Sequence, residues 1–212
     1  MKKPTLICAY DPLCGWCYGF GPVLMALEGK FSNNFDFEVL SGGMITGRSV
    51  GPLSNMADFI RKAIPRVEEY TGIAFGKNFL ENLQNPSILF SSLEPGNVLT
   101  VVKELAPGSA VSASHAIQSL IYHDGIHPTE YTAYLPLFEE FSIKPEMAFQ
   151  LLQSAETSQK TVLEFSQIQK WQIQGFPAVL LETPDGKLHG ISRGYLPQEE
   201  MEHRLRPFLL HS

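Results

Sequence analysis

The spacing of apolar residues changes several times along the chain, and each change predicts a different element. Thr5–Tyr10 is a short apolar run rich in β-formers, which predicts a buried strand. From Cys17 onwards, apolar residues three and four positions apart predict a helix with Pro22 inside it (Phe20, Val23, Leu24 and Leu27). Residues 35–43 alternate between apolar and polar and predict a second strand. A strand–helix–strand unit of this kind predicts two parallel strands.

The middle of the chain has a helical pattern. From about Gly51 to about Gln174, nearly every segment carries a helix-spaced apolar stripe, and turn signals such as "EPGN", "APGS" and "DGIHP" separate the segments. Strand patterns return at Phe176–Thr183, where "PDGK" predicts a hairpin with residues 188–194, and residues 197–210 predict a closing helix. We therefore predict an α/β domain formed by residues 1–50 and 175–212, interrupted by a helical domain at residues 51–174.

Composition and charge exclude several classes of protein. The chain has 212 residues, of which 44% are hydrophobic and 18% charged, which is typical of a globular protein. The net charge is -6 and there is no run of Lys or Arg, so we expect no nucleic-acid partner. No segment approaches the roughly 20 apolar residues of a membrane span. "PTLICAY" is too short for a secretory signal, so we expect a cytoplasmic protein without a membrane partner.

The segment "CGWC" places Cys14 and Cys17 at the predicted strand-to-helix junction. The free N–H groups at a helix N-terminus favour an anion, so a thiolate at Cys14 would be stabilised there. Cys17 would lie one turn further on, where it can attack a mixed disulfide formed on Cys14. We therefore assign Cys14 as an exposed nucleophile and Cys17 as the resolving thiol. Two inert buried thiols are the less favoured interpretation.

A zinc site is a further alternative for the Cys pair, but zinc needs four ligands. The third cysteine, Cys8, lies within the first strand and is best interpreted as a buried small apolar residue. The six histidines show no paired metal spacing with it. An odd number of cysteines also argues against a disulfide-stapled secreted fold. We predict no metal and no cofactor.

A second candidate element, "QGFPAV", follows the helical block. Pro177 is permitted at the first residue of a strand for purely structural reasons. The functional interpretation is a cis Phe176–Pro177 bond beside the cysteines, with the Phe176 backbone free to pair with an extended substrate. We include Gly15 and Trp16 in the substrate site, since a solvent-facing Trp there offers an apolar platform, although Trp16 could equally pack between the domains. Asp11 precedes Pro12, which favours an Asx-type turn over a carboxylate facing Cys14.

Together these features resemble the thioredoxin superfamily, and its DsbA-like branch in particular. The resemblance rests on "CGWC" after the first strand, "GFPAV" before the last hairpin, and a helical insertion between them. "DPLCGWCYGF" is similar to cytoplasmic DsbA-like proteins of the FrnE type. The resemblance implies a thiol–disulfide oxidoreductase or isomerase, with Cys14 as nucleophile, Cys17 as resolving thiol and Pro177 as the substrate-binding cis-proline. Between the cysteines, thioredoxin has Gly-Pro and periplasmic DsbA has Pro-His, whereas this chain has Gly-Trp.

Two other functions stay open at this point. The kappa-class glutathione transferases and hydroxychromene-carboxylate isomerases resemble the chain in architecture, but carry Ser where Cys14 stands. A related function would use Cys14 to orient glutathione. A chaperone-like module that binds polypeptides in an apolar groove is the third hypothesis. The expected partner is a disulfide-containing protein or a small thiol, with glutathione as a candidate; the sequence leaves the direction of electron flow and the oligomeric state open.

Overall fold

A four-stranded mixed sheet forms the centre of the computed structural model, which describes residues 3–209. Its strands are β1 (Thr5–Tyr10), β2 (Asp36–Ser41), β5 (Ala178–Glu182) and β6 (Leu188–Arg193), in the spatial order β2–β1–β5–β6. β1 pairs with β2 in parallel, whereas β5 runs antiparallel to both β1 and β6. The predicted parallel pair and the predicted C-terminal hairpin are therefore both present.

Helices cover both faces of this sheet because the side chains of β1 alternate between two apolar clusters. Leu6 and Cys8 face a cluster that includes residues of α1 (Gly15–Phe31) and α9 (Gln198–Leu209). Ile7 and Ala9 face a second cluster around Ile168 of α8. The predicted helix containing Pro22 is α1, which begins at Gly15 rather than at Cys17. Leu210, the last residue of the predicted closing helix, lies outside the described residues.

The segment between β2 and β5 is mostly helical, as expected. Its helices are α2 (Ala57–Thr71), α3 (Lys77–Asn82), α4 (Leu93–Leu105), α5 (Ala110–Tyr122), α6 (Leu135–Glu140), α7 (Pro145–Leu152) and α8 (Ala155–Lys170), with single 3₁₀ turns at Gly47–Ser49, Leu53–Met56 and Tyr131–Tyr134. A two-residue pairing of β3 (Gly51–Pro52) with β4 (Leu89–Phe90) was not predicted, because strands this short carry no readable period. α5 packs against α1, and α8 packs against α4 and β2.

One predicted turn is wrong. The letters "EPGN" lie within the first two turns of α4, which begins at Leu93. Pro is tolerated in the first turn of a helix because the N–H groups there have no intrahelical partner, so this signal fits a helix start as well as a turn. We propose residues 51–174 as the inserted domain, with the remainder as the thioredoxin-like domain. None of the helices within residues 3–209 is long and apolar enough to span a membrane.

Candidate active site

Cys14 lies at the point where the chain turns from β1 into α1. It is the N-cap residue of α1, with extended backbone angles, and its carbonyl accepts hydrogen bonds from the N–H groups of Cys17 and Tyr18 at 3.0 and 3.1 Å. The Cys14 N–H donates in turn to the Asp11 carbonyl at 3.0 Å. The two cysteines therefore occupy the first turn of α1, in the arrangement expected from their spacing.

The Cys14 side chain is less accessible than predicted. Only 7% of Cys14 is exposed, so the expectation of an exposed thiol is wrong. Cys14 is nevertheless more exposed than Cys17, of which 3% is exposed. The segment before β5 covers it: the Phe176–Pro177 peptide is cis, and the Cys14 Sγ–H donates to the Phe176 carbonyl at 3.5 Å. The structure thus brings together Cys14 and the Phe-Pro step, 162 residues apart in the sequence.

Cys17 is a buried thiol held in its protonated form. Burial raises its pKa well above the ordinary range, and the hydrogen bond and negative charge of Cys14 raise it further, while a backbone hydrogen bond from Asp11 lowers it. Both contributions from Cys14 would disappear if its sulfur entered a disulfide bond with another molecule. The Cys17 thiol would then lose its proton more readily.

Cys8 behaves as the sequence predicted. It is 1% exposed in the centre of β1, and burial raises the pKa of its thiol to about 12. A thiol that stays protonated is a weak nucleophile, so Cys8 contributes packing rather than redox chemistry.

Asp11 is the buried carboxylate of the site. Its Oδ1 accepts from the Leu13 N–H at 2.9 Å, which is the predicted Asx-type turn. The same oxygen accepts from the Ser92 hydroxyl at 3.0 Å, and Oδ2 accepts from the Met44 N–H at 2.7 Å. Burial raises the Asp11 pKa to about 6, against the opposing effect of these donors. Asp11 therefore ties the cysteine turn to two distant segments, which the sequence did not reveal.

Gln118 on α5 is a second residue that the sequence analysis missed. Its Nε2 donates to the carbonyls of Asp11 and Cys14 at 3.1 and 3.2 Å, and only 1% of the residue is exposed. The available signal was a polar residue on the same helix face as Val111, Ser114 and Ile121, all of which are buried. A buried amide at such a position needs partners, and here the partners are the backbone of the active-site turn.

The glycines after β2 allow two aromatic rings to approach the backbone. A Cβ on Gly42 would lie 2.1 Å from Cζ of Phe176, and one on Gly43 would lie 2.6 Å from Cγ of Phe165. Gly43 also has a φ of +69°, which disfavours other residues. The loop after β2 therefore supports the ring of Phe176, whose carbonyl accepts from Cys14.

Trp16 and Gly15 lie on the outer side of the cysteines. Trp16 is half-buried, with its ring 6.1 Å from that of Tyr70 and 6.3 Å from that of Tyr195. It therefore packs between α2 and the loop after β6 and still reaches the surface. A Cβ on Gly15 would lie 3.3 Å from the Phe75 ring, so little room is left on that side.

One histidine, His115, packs against the helix that carries the cysteines. His115 stacks on Tyr18 with 5.8 Å between ring centroids, and burial lowers its pKa. Within residues 3–209, no group of three His, Cys, Asp or Glu side chains is placed to hold a metal ion. The redox interpretation of Cys14 and Cys17 is the one that the geometry favours.

No protein-family model and no curated protein matches the chain. Among solved structures, it is similar to a proposed protein disulfide isomerase from Nitrosomonas europaea, with 25% identity, full coverage of both chains and a TM-score of 0.88. It is also similar to the cytosolic disulfide reductase DsbM from Pseudomonas aeruginosa, with 26% identity, 98% of this chain and 100% of that chain covered, and a TM-score of 0.82.

A structure of DsbM with GSH matches with a TM-score of 0.78 and 26% identity, covering 95% of this chain and 99% of that chain. A 2-hydroxychromene-2-carboxylate isomerase matches more weakly, with a TM-score of 0.61, 14% identity and 88% of each chain covered, which shows a shared fold alone. The strand order, the inserted helices and these similarities agree. The chain therefore has a DsbA-like thioredoxin fold with inserted helices.

Proposed function

We propose that the chain is a thiol–disulfide oxidoreductase that works through a mixed disulfide on Cys14. The Cys14 thiolate attacks one sulfur of a substrate disulfide, forms a new S–S bond and releases the other sulfur as a thiolate. Cys17 loses its proton and attacks the Cys14 sulfur, which releases the second substrate thiolate and leaves a Cys14–Cys17 disulfide. Two electrons have then moved from the protein to the substrate.

The observation that carries this proposal is the contact between Cys14 Sγ and the Phe176 carbonyl, at 3.5 Å. It places the nucleophile next to backbone that precedes a proline and lies outside the strand pairing, because β5 begins at Ala178. An extended substrate can pair with this backbone while its disulfide faces Cys14. Phe176 and Pro177 are accordingly proposed as substrate-binding residues, together with Gly15 and Trp16 between the two cysteines.

Single cysteine variants test the roles of the thiols. Cys14→Ser should abolish the reduction of insulin. Cys8→Ser, the control at the buried thiol of β1, should retain this activity. Cys17→Ser should accumulate a mixed disulfide that mass spectrometry detects as a mass increase on Cys14. Wild-type turnover in Cys14→Ser would overturn the assignment of the nucleophile.

We further propose that the protein acts as a disulfide reductase in the cytoplasm with glutathione as a partner. DsbM, described as a cytosolic disulfide reductase and solved with GSH, supports this extension. The reduction potential of the Cys14–Cys17 couple in glutathione buffers tests it. A value near that of thioredoxin, roughly -270 mV, fits a reductase, and a value near that of DsbA, roughly -120 mV, contradicts it.

The two alternative functions make different predictions. A glutathione transferase or isomerase would bind glutathione without forming a disulfide, and its activity would survive Cys17→Ser. A chaperone-like module would suppress aggregation after both Cys14 and Cys17 are replaced. The position of a second thiol, Cys17, in the first turn of α1 directly after Cys14 favours the redox function over both, because neither alternative needs a second thiol.

A further inference from the structure

A pocket of about 570 Å³ opens beside the Phe-Pro step, at the β5–β6 side of the sheet. The chain from Trp171 to Phe176 forms one wall, and the strand pair β5–β6 forms the other. The pocket shares Phe176 with the active site, whose carbonyl accepts from Cys14. The volume lies within the range of roughly 300–1,000 Å³ that is usual for sites of small ligands.

The pocket exists because α8 ends before it reaches this part of the sheet. After Lys170 the chain turns away through Gln172, which has a φ of +56°, and the Ile173 N–H donates back to the Ile168 carbonyl at 3.3 Å. This is a helix-ending motif that usually has Gly in place of Gln172. On the sheet, Leu180 pairs with Gly190, whose missing side chain leaves open space on that side.

The lining combines apolar side chains, among them Trp171, Ile173 and Leu180, with polar groups and one positive charge. Gln172 and Gln174 bring amide groups, and Gly175, Gly190 and Gly194 leave backbone accessible. Among the described residues that line the pocket, Arg193 is the only one with a charge. The Arg193 guanidinium has no ion-pair partner among residues 3–209, whereas Asp185 and Lys187 in the turn of this hairpin pair with each other. Such a lining suits a peptide-like ligand with a carboxylate.

We propose that this pocket binds the anionic peptide part of the disulfide substrate while its sulfur faces Cys14. This inference rests on the proposed oxidoreductase function and names the class of substrate. The chemistry required is a short peptide with a carboxylate close to its disulfide. Glutathione disulfide supplies it, and so does an acidic segment of a protein.

The first test fills the pocket without touching the cysteines. Gly190→Leu adds a side chain where a Cβ meets no atom within 4 Å, so the strand can accept it. Gly29→Leu is the matched control, because Gly29 is an exposed glycine of α1 with equally open surroundings. Oxidation of each reduced protein is followed by stopped-flow fluorescence with glutathione disulfide, with an acidic peptide disulfide, and with hydroxyethyl disulfide, which is small and uncharged.

Gly190→Leu should slow oxidation by at least one of the two anionic peptide disulfides at least tenfold and leave hydroxyethyl disulfide unchanged. Which of the two is slowed identifies the source of the ligand. The proposal that this pocket binds substrate would be overturned if Gly190→Leu slowed oxidation by all three disulfides equally, or if it slowed oxidation by none of them. If the wild type is oxidised by none of them, the oxidoreductase function itself fails, so the two failures are distinguishable.

Two further variants keep the inference testable should Gly190→Leu fold poorly. Arg193→Gln, at an exposed position, should raise the half-saturating concentration of the anionic disulfide and reduce its dependence on salt. Gln172→Gly should weaken the binding of the same substrate, although Gly adopts the positive φ of this position more easily than Gln. Ser142→Gly is its control, since Ser142 also has a positive φ, +54°, after a helix but lies outside this pocket. Unchanged saturation in both Arg193→Gln and Gln172→Gly would contradict the proposal.

Discussion

The Asp11 carboxylate should make the protein less stable as the pH rises from about 4 to about 6. Asp11 is completely buried, and burial raises its pKa from the ordinary value of 3.8 to about 6. In the unfolded chain Asp11 loses its proton near pH 4, whereas the folded protein keeps it until about pH 6. Between these values the folded state binds more protons, so the free energy of unfolding falls as the pH rises.

The expected size of this loss follows from the difference of roughly two pKa units. Each unit corresponds to about 1.4 kcal/mol, so the loss is about 3 kcal/mol between pH 4 and pH 7. Four donors oppose this rise in pKa, namely the N–H groups of Leu13, Gly43 and Met44 and the hydroxyl of Ser92. The sign of the pH dependence therefore reports whether burial or hydrogen bonding dominates at Asp11.

Urea unfolding of the reduced wild type and of Asp11→Asn between pH 4.0 and pH 7.5 measures this contribution. Subtracting the two stabilities at each pH removes the other groups that titrate, such as Glu28 and Glu38, whose pKa values burial also raises. The stability of wild type relative to Asp11→Asn should fall by about 3 kcal/mol over this range. Asp58→Asn is the control, because the Asp58 side chain is 86% exposed.

A difference between wild type and Asp11→Asn that stays constant with pH would refute this reasoning. A difference that grows with pH would mean that the donors outweigh burial and hold the Asp11 pKa below 3.8. In either case Asp11 would already be ionised in the folded protein at the lower end of this pH range.

Other residues give sharper single tests. Gly42→Ala would place a methyl group 2.1 Å from Phe176 Cζ, so we expect a loss of roughly 1–3 kcal/mol in urea unfolding and slower oxidation of the reduced protein. Cys8, with a pKa of about 12, should resist iodoacetamide at pH 8 until the protein unfolds, as peptide mass spectrometry would show. Lys103→Met leaves the partly buried Glu164 without its cation, and we expect a loss of roughly 1–3 kcal/mol, part of which Lys103→Met/Glu164→Gln should recover.

The parts of the fold that the sequence predicted are those set by local pattern. β1 was predicted with its observed bounds because Thr5–Tyr10 is a continuous apolar run closed by a turn. β5 begins at Ala178 rather than at Phe176, since Phe176 and Pro177 belong to the segment that faces Cys14. The apolar period begins only at Cys17, because Gly15 and Trp16 carry no apolar period of their own, whereas α1 begins at Gly15, directly after Cys14, as the strand-to-helix corner predicts.

Only those parts of the candidate site that residues close together in the sequence determine could be predicted. Cys14 and Cys17 could be predicted from their spacing and from their position at the strand-to-helix corner. The hydrogen-bond partners of Asp11 could not be predicted, because Met44 is 33 residues away and Ser92 is 81 residues away. No local rule links a Ser before a helix to a carboxylate in another domain. Such contacts follow from tertiary packing, which a single sequence does not specify by pattern.

These distant contacts give the inserted helices a role beyond covering the site. Ser92 precedes α4 and Gln118 lies on α5, so both residues come from the proposed inserted domain. Together they satisfy the Asp11 carboxylate and the carbonyls of Asp11 and Cys14. Buried polar groups left without partners are costly, so the geometry of the cysteine turn depends on the segments that contribute Ser92 and Gln118. The position of Cys14 is therefore set by these distant segments as well as by the "CGWC" segment.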